Sequence, residues 1–315
     1  MKKILKILVI NFIIFFSILF ICDYFVFIEE KKSNNTGMED SVHFYDEFLV
    51  WKYSLNTFKD AYSFNKNSEF RDYFPRPQIK ETNKKPIVLL GCSFTQGTGL
   101  GENETLYYKL SNYTNRSVYT YAIGGAGPSQ ALYEIENGFP NVNNPEYIIY
   151  NFIEYHITRM YIPTSFFFPL ICFYKVDKKG FLIPKNEFDI LWYHSYTARA
   201  LYEKYINYSL STPEFNKLAT DFLLKHFVQM KKVASKKYPE SKFVIFAYDG
   251  EKGLNNKSYI KSIENNLKKE GFIVAYMDEL SDIDFTQKPY VLDDGHPSSY
   301  AWNIVVPKLA QRLHL

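Results

Sequence analysis

The chain has 315 residues, of which 46% are hydrophobic and 18% aromatic. This is more than a disordered chain carries, so a large buried core is expected. The 37 basic and 34 acidic residues are interspersed and give a net charge of +3, which excludes the basic face typical of nucleic-acid-binding proteins. Three cysteines, Cys22, Cys92 and Cys172, are too few for a disulfide framework. We interpret Cys92 and Cys172 as packed free thiols, although their spacing also permits a bridge.

Residues 1–28 have the pattern of a membrane anchor. They open with Lys2, Lys3 and Lys6 and continue as an apolar run that holds one charge, Asp23. A run of this length can span a bilayer, and lysines before it place the amino terminus in the cytoplasm and the remainder outside. We therefore predict an N-terminal transmembrane helix that acts as a signal-anchor. The protein is expected in the membrane as a single-pass protein, with its main domain extracytoplasmic, in the periplasm if the cell is Gram-negative.

Two alternatives to a retained anchor stay open. A cleaved signal peptide needs a small-residue cleavage site, and none is visible in this segment. A lipoprotein needs a small residue before the modified cysteine, whereas Ile21 precedes Cys22.

The rest of the chain divides by composition. Residues 29–82 begin as a polar, charged stretch and continue as an aromatic-rich segment without clear periodicity, which we interpret as a stalk and an irregular cover. Residues 83–315 are predicted to form the main domain, with an aromatic insertion at about 157–210. Its longest apolar run is about half the ~20 residues that a second membrane span requires.

Short apolar runs alternate with helix-like segments from residue 86 onward, a pattern typical of right-handed βαβ units. The expected fold is a three-layer α/β/α domain with a mainly parallel five-stranded sheet. The predicted strands are 87–90, 118–122, 147–152, 243–248 and 272–276, and the predicted helices are 104–113, 129–137, 213–237, 259–270 and 299–313.

A serine follows the first predicted strand. Residues 91–97 read Gly-Cys-Ser-Phe-Thr-Gln-Gly, so Ser93 lies where an apolar strand gives way to a turn and a helix. Ligands bind at the carboxyl ends of strands in open α/β sheets, so this hydroxyl is expected to face a cleft. The segment by itself also fits a serine that caps a helix or makes a turn.

A histidine that could activate this hydroxyl lies about 200 residues later, where residues 293–297 read Asp-Asp-Gly-His-Pro. A hydroxyl is a weak nucleophile that needs a base within hydrogen-bond reach, and a carboxylate fixes the tautomer of that base. His296 can be the base and Asp293 the carboxylate, with Asp294 as the other candidate. A surface turn before a capped helix produces the same pattern.

Together these segments resemble the SGNH hydrolase superfamily, also called GDSL-type hydrolases, over about residues 86–315. The first block of that family, Gly-Asp-Ser-Leu, is matched by residues 91–94, with Cys92 in place of the aspartate. The last block, Asp-x-x-His-Pro, is matched by residues 293–297. The resemblance implies a flavodoxin-like fold and an esterase activity.

The resemblance also assigns roles. Ser93 is the expected nucleophile, His296 the base and Asp293 its partner. In the family's second block a glycine N–H stabilises the oxyanion. Here a glycine-rich segment follows the second predicted strand. Gly127 best matches the donor and Gly124 is the second choice, although these glycines could simply make a turn.

The third block departs from the family, which usually presents Gly-x-Asn-Asp after the third strand with the asparagine as another oxyanion donor. In this chain Tyr155 or His156 occupies that position, and Asn151 comes about four residues too early, within the predicted strand. Either His156 donates in place of the asparagine, or the oxyanion rests on the backbone of Ser93 and Gly127. His156 as a buried structural histidine stays equally open.

The expected activity is hydrolysis of acyl esters on a cell-surface glycan or lipid, outside the cytoplasm. No cofactor or metal is implied, because the other histidines lack ligand spacing and the chain has neither a P-loop nor a dinucleotide fingerprint. Two alternatives use the same fold. One is an O-acyltransferase that passes the acyl group to a sugar hydroxyl, and the other is a non-catalytic SGNH-like factor in surface-polysaccharide assembly.

Overall fold

The computed structural model describes most of the predicted main domain. Nearly all of the predicted anchor, stalk and cover lies outside the described residues, so these assignments stay predictions. No helix within the described part of the chain is long and apolar enough to cross a membrane. The described residues are 78–122, 124–139, 142–161, 174–176, 182–184, 196–248, 259–280 and 287–315, with residues 14, 17, 18 and 21.

The described strands are β1 (Ile87–Leu90), β2 (Val118–Thr120), β3 (Tyr147–Phe152), β4 (Tyr174–Val176), β5 (Leu182–Pro184), β6 (Lys242–Ala247) and β7 (Ile273–Tyr276). Five of them form a wholly parallel sheet in the order β2-β1-β3-β6-β7, which confirms the predicted five-stranded sheet. Each strand of this sheet agrees with its predicted bounds to within two residues. A separate antiparallel hairpin, β4-β5, lies in the predicted insertion.

The described helices are α1 (Ser93–Gln96), α2 (Leu106–Thr114), α3 (Pro128–Asn137), α4 (Tyr155–Arg159), α5 (Tyr196–Leu210), α6 (Pro213–Lys237), α7 (Tyr259–Lys269), α8 (Met277–Leu280) and α9 (Ser299–Leu313), with a 3-10 turn at Glu102–Glu104. Helices α2 and α9 pack on one face of the sheet, which we call the α9 face, and α3, α6 and α7 pack on the other, the α6 face. Because helices cover both faces, the three-layer prediction is also confirmed.

Strand β3 shows how the two cores are built. All six of its residues are buried, because a central parallel strand is covered on both faces. Successive side chains point to opposite faces, so Tyr147 and Ile149 join the α9 face while Ile148 and Tyr150 join the α6 face. The same alternation carries Asn151 to the α9 face.

The order of the strands creates a crevice. Strand β1 pairs with β2 on one side and β3 on the other. The connection from β1 to β2 and the connection from β3 to β6 therefore run in opposite directions along the sheet. At such a switch point the loops after the two central strands diverge and leave a binding crevice at the carboxyl edge. Ser93 follows the end of β1 at this crevice.

Candidate active site

The turn that carries Ser93 is held tightly by the core. Gly91 follows β1 with φ +153°, and a Cβ at this position would collide with Oγ1 of Thr95, so a glycine is needed. Cys92 caps α1 and is fully buried, while Ser93 is only half-buried. The buried neighbours fix the backbone, and the serine side chain keeps access to solvent.

The loop that carries His296 is equally well defined. The N–H of Leu292 donates to the carbonyl of His296 at 2.8 Å, and the N–H of Gly295 donates to the carbonyl of Leu292 at 3.0 Å. Gly295 has φ +82°, a left-handed conformation that favours glycine. Ser298 then caps α9 by accepting from the N–H of Ala301 at 3.2 Å. His296 is therefore presented by a closed turn at the amino end of α9.

The two segments, about 200 residues apart in sequence, meet at the carboxyl edge of the sheet. The ring of Phe94, the neighbour of Ser93, lies 5.0 Å from the ring of His296, measured between centroids. A Cβ at Gly99, beyond α1, would lie 2.9 Å from Cδ1 of Leu292. The structure thus brings the predicted nucleophile and base segments into direct contact.

The carboxylate beside His296 belongs to Asp294 rather than Asp293. Oδ1 of Asp294 accepts the backbone N–H of His296 at 3.1 Å, as in an Asx turn, and its Oδ2 lies 3.0 Å from Nδ1 of the ring. The geometry does not meet that of a formed hydrogen bond, so the carboxylate lies against the ring nitrogen without being aligned on it. The side chain of Asp293 is 88% exposed and pairs with Lys288.

The charge of Asp294 follows from these contacts. Burial by itself would raise the pKa of its carboxyl, but the backbone N–H and the ring of His296 outweigh burial and hold the pKa below its usual value. Nε2 of His296 is buried and has no hydrogen-bond partner among the residues that the structure describes. Since Nδ1 faces Asp294, Nε2 is the nitrogen available to the hydroxyl of Ser93, and no hydrogen bond joins these two groups among the described residues.

The glycine-rich segment brings Gly124, not Gly127, to the serine. A Cβ at Gly124 would lie 4.0 Å from Cβ of Ser93. The N–H of Gly127 already donates to Oε1 of Gln130 at 3.0 Å, where it caps α3, and a Cβ there would lie 2.9 Å from Cβ of Arg159. Gly127 is thus occupied in helix capping, and the second-choice donor lies beside the nucleophile.

His156 lies in the core and not at the solvent-facing edge. It is fully buried on α4, and its Nδ1 faces the hydroxyl of Tyr150 at 2.7 Å and the N–H of Ile153 at 3.5 Å. Two donors on Nδ1 assign it as the acceptor. Burial, together with the charge of Arg159, lowers the pKa of His156 well below its usual value. The ring is held neutral within the fold and is not presented to a substrate.

Sequence reasoning missed Tyr248, which follows β6. Its ring packs edge-on against Phe94 at 5.3 Å and against Trp302 at 6.3 Å. Burial, and to a smaller extent the electrostatic effect of the Cys92 thiol group, raises the pKa of Tyr248 well above its usual value. In the sequence, the only local sign of this contact is that a tyrosine ends an apolar run.

The sequence also provided no reason to connect Asn151 with Thr95. Asn151 lies near the end of β3 and Thr95 lies within α1, and both are almost fully buried. Their side-chain polar atoms have no hydrogen-bond partner in the described ranges. A lone amide in an otherwise apolar strand was visible in the sequence, but its surroundings were not.

Neither a scan against protein-family models nor a search of curated proteins gives a match. Among solved structures, the chain is similar to a protein assigned to the G-D-S-L lipolytic family from Desulfitobacterium hafniense DCB-2, with 10% identity, a TM-score of 0.46, and 73% of this chain and 99% of that chain covered. It is also similar to the psychrotrophic esterase EstA from Pseudoalteromonas sp., with 10% identity, a TM-score of 0.42, and coverage of 73% and 97%. A carbohydrate esterase family 2 enzyme from Corynascus thermopiles (Myceliophthora fergusii) gives 14% identity, a TM-score of 0.42, and coverage of 76% and 69%. At this level of similarity no activity is carried over to the chain.

The burial of His156 predicts a loss of stability in acid. Because its pKa is lowered in the folded chain, the unfolded chain binds a proton more readily below about pH 6.5, the usual value for histidine. The stability that neutral His156 contributes is complete above that pH and is lost as the pH falls towards the lowered folded pKa. From about pH 7.5 to about pH 5, urea unfolding should show a smaller fall in the free energy of unfolding for His156→Gln than for the wild type, by up to ~1.4 kcal/mol per pH unit.

The control is His314→Gln, because His314 is exposed and its replacement should leave the wild-type pH dependence unchanged. Equal pH dependence in His156→Gln and the wild type would contradict the assignment of His156 as a buried neutral group.

Proposed function

We propose that this protein is a serine ester hydrolase in which Ser93 is the nucleophile, His296 the general base and Asp294 the residue that orients the base. The observation that carries the proposal is the meeting of two distant segments at the switch point of the sheet. The ring of His296 packs on Phe94, the neighbour of Ser93, with a carboxylate at Nδ1 and, among the described residues, no partner at Nε2. This is the set of groups that activates a serine hydroxyl.

The reaction proceeds through an acyl-enzyme. Oγ of Ser93 attacks the ester carbonyl carbon while its proton passes to Nε2 of His296, and the carbonyl π electrons move to the oxygen. Collapse of this intermediate breaks the bond to the alcohol, which leaves with the proton from Nε2. A water molecule then attacks the acyl-enzyme, gives a proton to Nε2, and releases the acid as Ser93 recovers its proton. Ionised Asp294 stabilises the imidazolium formed in each half.

The oxyanion rests on backbone amides in this proposal. The N–H groups of Ser93 and Gly124 are the candidates, because Gly124 lies beside the serine while Gly127 caps α3 and His156 is buried. A preorganised N–H aimed at the developing charge contributes roughly 3 kcal/mol to lowering the barrier. Two backbone donors provide this without the asparagine that the third block lacks.

The first test concerns the nucleophile and the base. Ser93→Ala and His296→Ala should each abolish hydrolysis of a short acyl ester and labelling by a fluorophosphonate serine probe, because the two groups act as a unit. For the same reason the double variant should be hardly worse than either single one. Circular dichroism should show that the variants keep the fold.

The matched control is Ser211→Ala, which removes an exposed hydroxyl outside the site and should label at the wild-type rate. Full activity in Ser93→Ala would overturn the mechanism. An unlabelled wild-type chain would favour the non-catalytic assembly factor, and transfer of the acyl group to an added sugar in preference to water would favour the O-acyltransferase.

A second test separates the two aspartates. Asp294→Asn should lower kcat about a hundredfold, since an amide at Nδ1 no longer stabilises the imidazolium and favours the wrong tautomer. Asp293→Asn is the matched control at the neighbouring position, and its kcat should stay within about twofold of the wild type because its carboxylate is exposed and faces Lys288. Steady-state kinetics on the same ester give both values, and the opposite ranking would return the orienting role to Asp293.

The proposed substrates are acyl esters on a cell-surface glycan or lipid, with the domain outside the cytoplasm and tethered by the segment within residues 1–28. The support is the charge pattern of that segment, with lysines before the apolar run. A carboxyl-terminal reporter that is active only in an oxidising, extracytoplasmic compartment should therefore be active. A cytoplasmic readout, or full solubility of the unprocessed chain, would remove the tether from the proposal.

A further inference from the structure

Three polar side chains are buried together beneath the turn that carries Ser93. Thr95, Asn151 and Trp302 are 0%, 1% and 0% exposed. Within the described residues, Oγ1 of Thr95, both polar atoms of the Asn151 amide and Nε1 of Trp302 have no hydrogen-bond partner. Unpartnered polar atoms are rare in protein interiors, and four of those among the described residues belong to these three side chains.

The register of the sheet makes Thr95 and Asn151 neighbours. Leu90 pairs with Tyr150, so the next residues, Gly91 and Asn151, stand side by side at the ends of β1 and β3. Gly91 and Asn151 both face the α9 side by alternation. The hydroxyl of Thr95 fills the space where a side chain at Gly91 would lie, and the carbonyl of Asn151 is 3.1 Å from that same point.

Trp302 packs on the same face of the sheet. Helix α9 begins at the carboxyl edge of the sheet and ends near the start of β3, where the hydroxyl of Tyr147 donates to the carbonyl of Leu313. Trp302 lies in the first turn of α9 and therefore at the level of Asn151. Its ring also meets Tyr248, which in turn packs on Phe94.

An apolar side chain would be the more stable choice at these positions, since a buried amide or hydroxyl without a partner loses the hydrogen bonds it makes with water. The neighbouring residues of β3 on the α9 face are apolar or aromatic. Polar side chains this close to the proposed nucleophile have a role if they bind a ligand that can both donate and accept hydrogen bonds. All three side chains are closed to solvent, so water is the ligand class that fits, and buried water characteristically bridges such groups.

We propose that Thr95, Asn151 and Trp302 bind ordered water beneath the nucleophile turn, and that Asn151 is a positioning residue that holds Ser93 in place through this water and Thr95. The inference rests on the proposed function for the role of Ser93, but the water site is independent of it. Asn151 sets the position and direction of the one-turn helix α1 relative to the sheet, and it does not touch the substrate. Loss of the water site leaves Ser93 in the fold but displaces its hydroxyl from the geometry that reacts.

The test uses substitutions that remove the polar groups and keep the volume. Asn151→Leu and Thr95→Val should each lower kcat tenfold or more, with KM within about twofold, and should slow fluorophosphonate labelling to the same extent. The melting temperature of Asn151→Leu should stay equal or rise, because an apolar group replaces an unpartnered amide. Thr95→Ser keeps the hydroxyl and should retain the wild-type kcat. The control is Ile149→Leu, a change two residues earlier on the same face of β3, which should keep the wild-type kcat.

The outcomes separate the positioning role from a simple burial effect. If Asn151→Leu and Thr95→Val keep the wild-type kcat while the melting temperature rises, the polar groups have no role in catalysis and the proposal is overturned. If Asn151→Leu fails to fold, the Thr95→Val and Thr95→Ser pair decides the question by the same criterion.

A crystal structure of the full chain tests the water site without any activity measurement. Water within hydrogen-bond distance of Nδ2 of Asn151 and Oγ1 of Thr95 is expected, and a direct bond between the two side chains with no water would overturn the proposal. If water is present but the wild-type chain neither labels nor hydrolyses esters, the proposed function fails while the water site stands.

Discussion

Strand β1 is paired on both edges, by β2 and β3, and covered on both faces, so the direction in which the chain leaves it is set before any functional residue is reached. The tight turn at Gly91 comes directly after this strand. A glycine is needed there because Oγ1 of Thr95 occupies the place that a side chain would take. Ser93 is consequently presented by a turn whose start is fixed within the sheet. The crevice beside it exists because β2 and β3 lie on opposite sides of β1.

A run of aromatic rings couples this turn to the carboxyl-terminal helix. Phe94 contacts both His296 and Tyr248, and Tyr248 contacts Trp302 at the start of α9. Each such aromatic pair contributes about 0.5–1.5 kcal/mol beyond its burial. The packing that stabilises α9 on the sheet is therefore the same packing that positions the imidazole, so the stability of the domain and the geometry of the site depend on shared contacts.

Buried polar groups lie on both faces of the sheet. On the α6 face Nδ1 of His156 accepts from the hydroxyl of Tyr150 and burial holds the ring neutral, while its Nε2 has no hydrogen-bond partner in the described part of the chain. On the α9 face neither polar atom of the Asn151 side chain has a partner among the described residues, and a buried amide left in this state costs roughly 1–3 kcal/mol. Asn151 lies close to the turn that carries Ser93, where a polar group that reduces stability is more readily explained by function.

The sequence by itself predicted the five strands of the sheet and five of the helices, because apolar periodicity and turn residues are local properties of the chain. It also selected Ser93 and His296 as candidate site residues, since each lies in a short motif at the end of a predicted element. Only the tertiary structure decided that Asp294 rather than Asp293 faces the imidazole and that Gly124 rather than Gly127 lies beside the serine. These choices depend on the dihedral angles of turns and on contacts between segments far apart in sequence, and neither leaves a periodic signal.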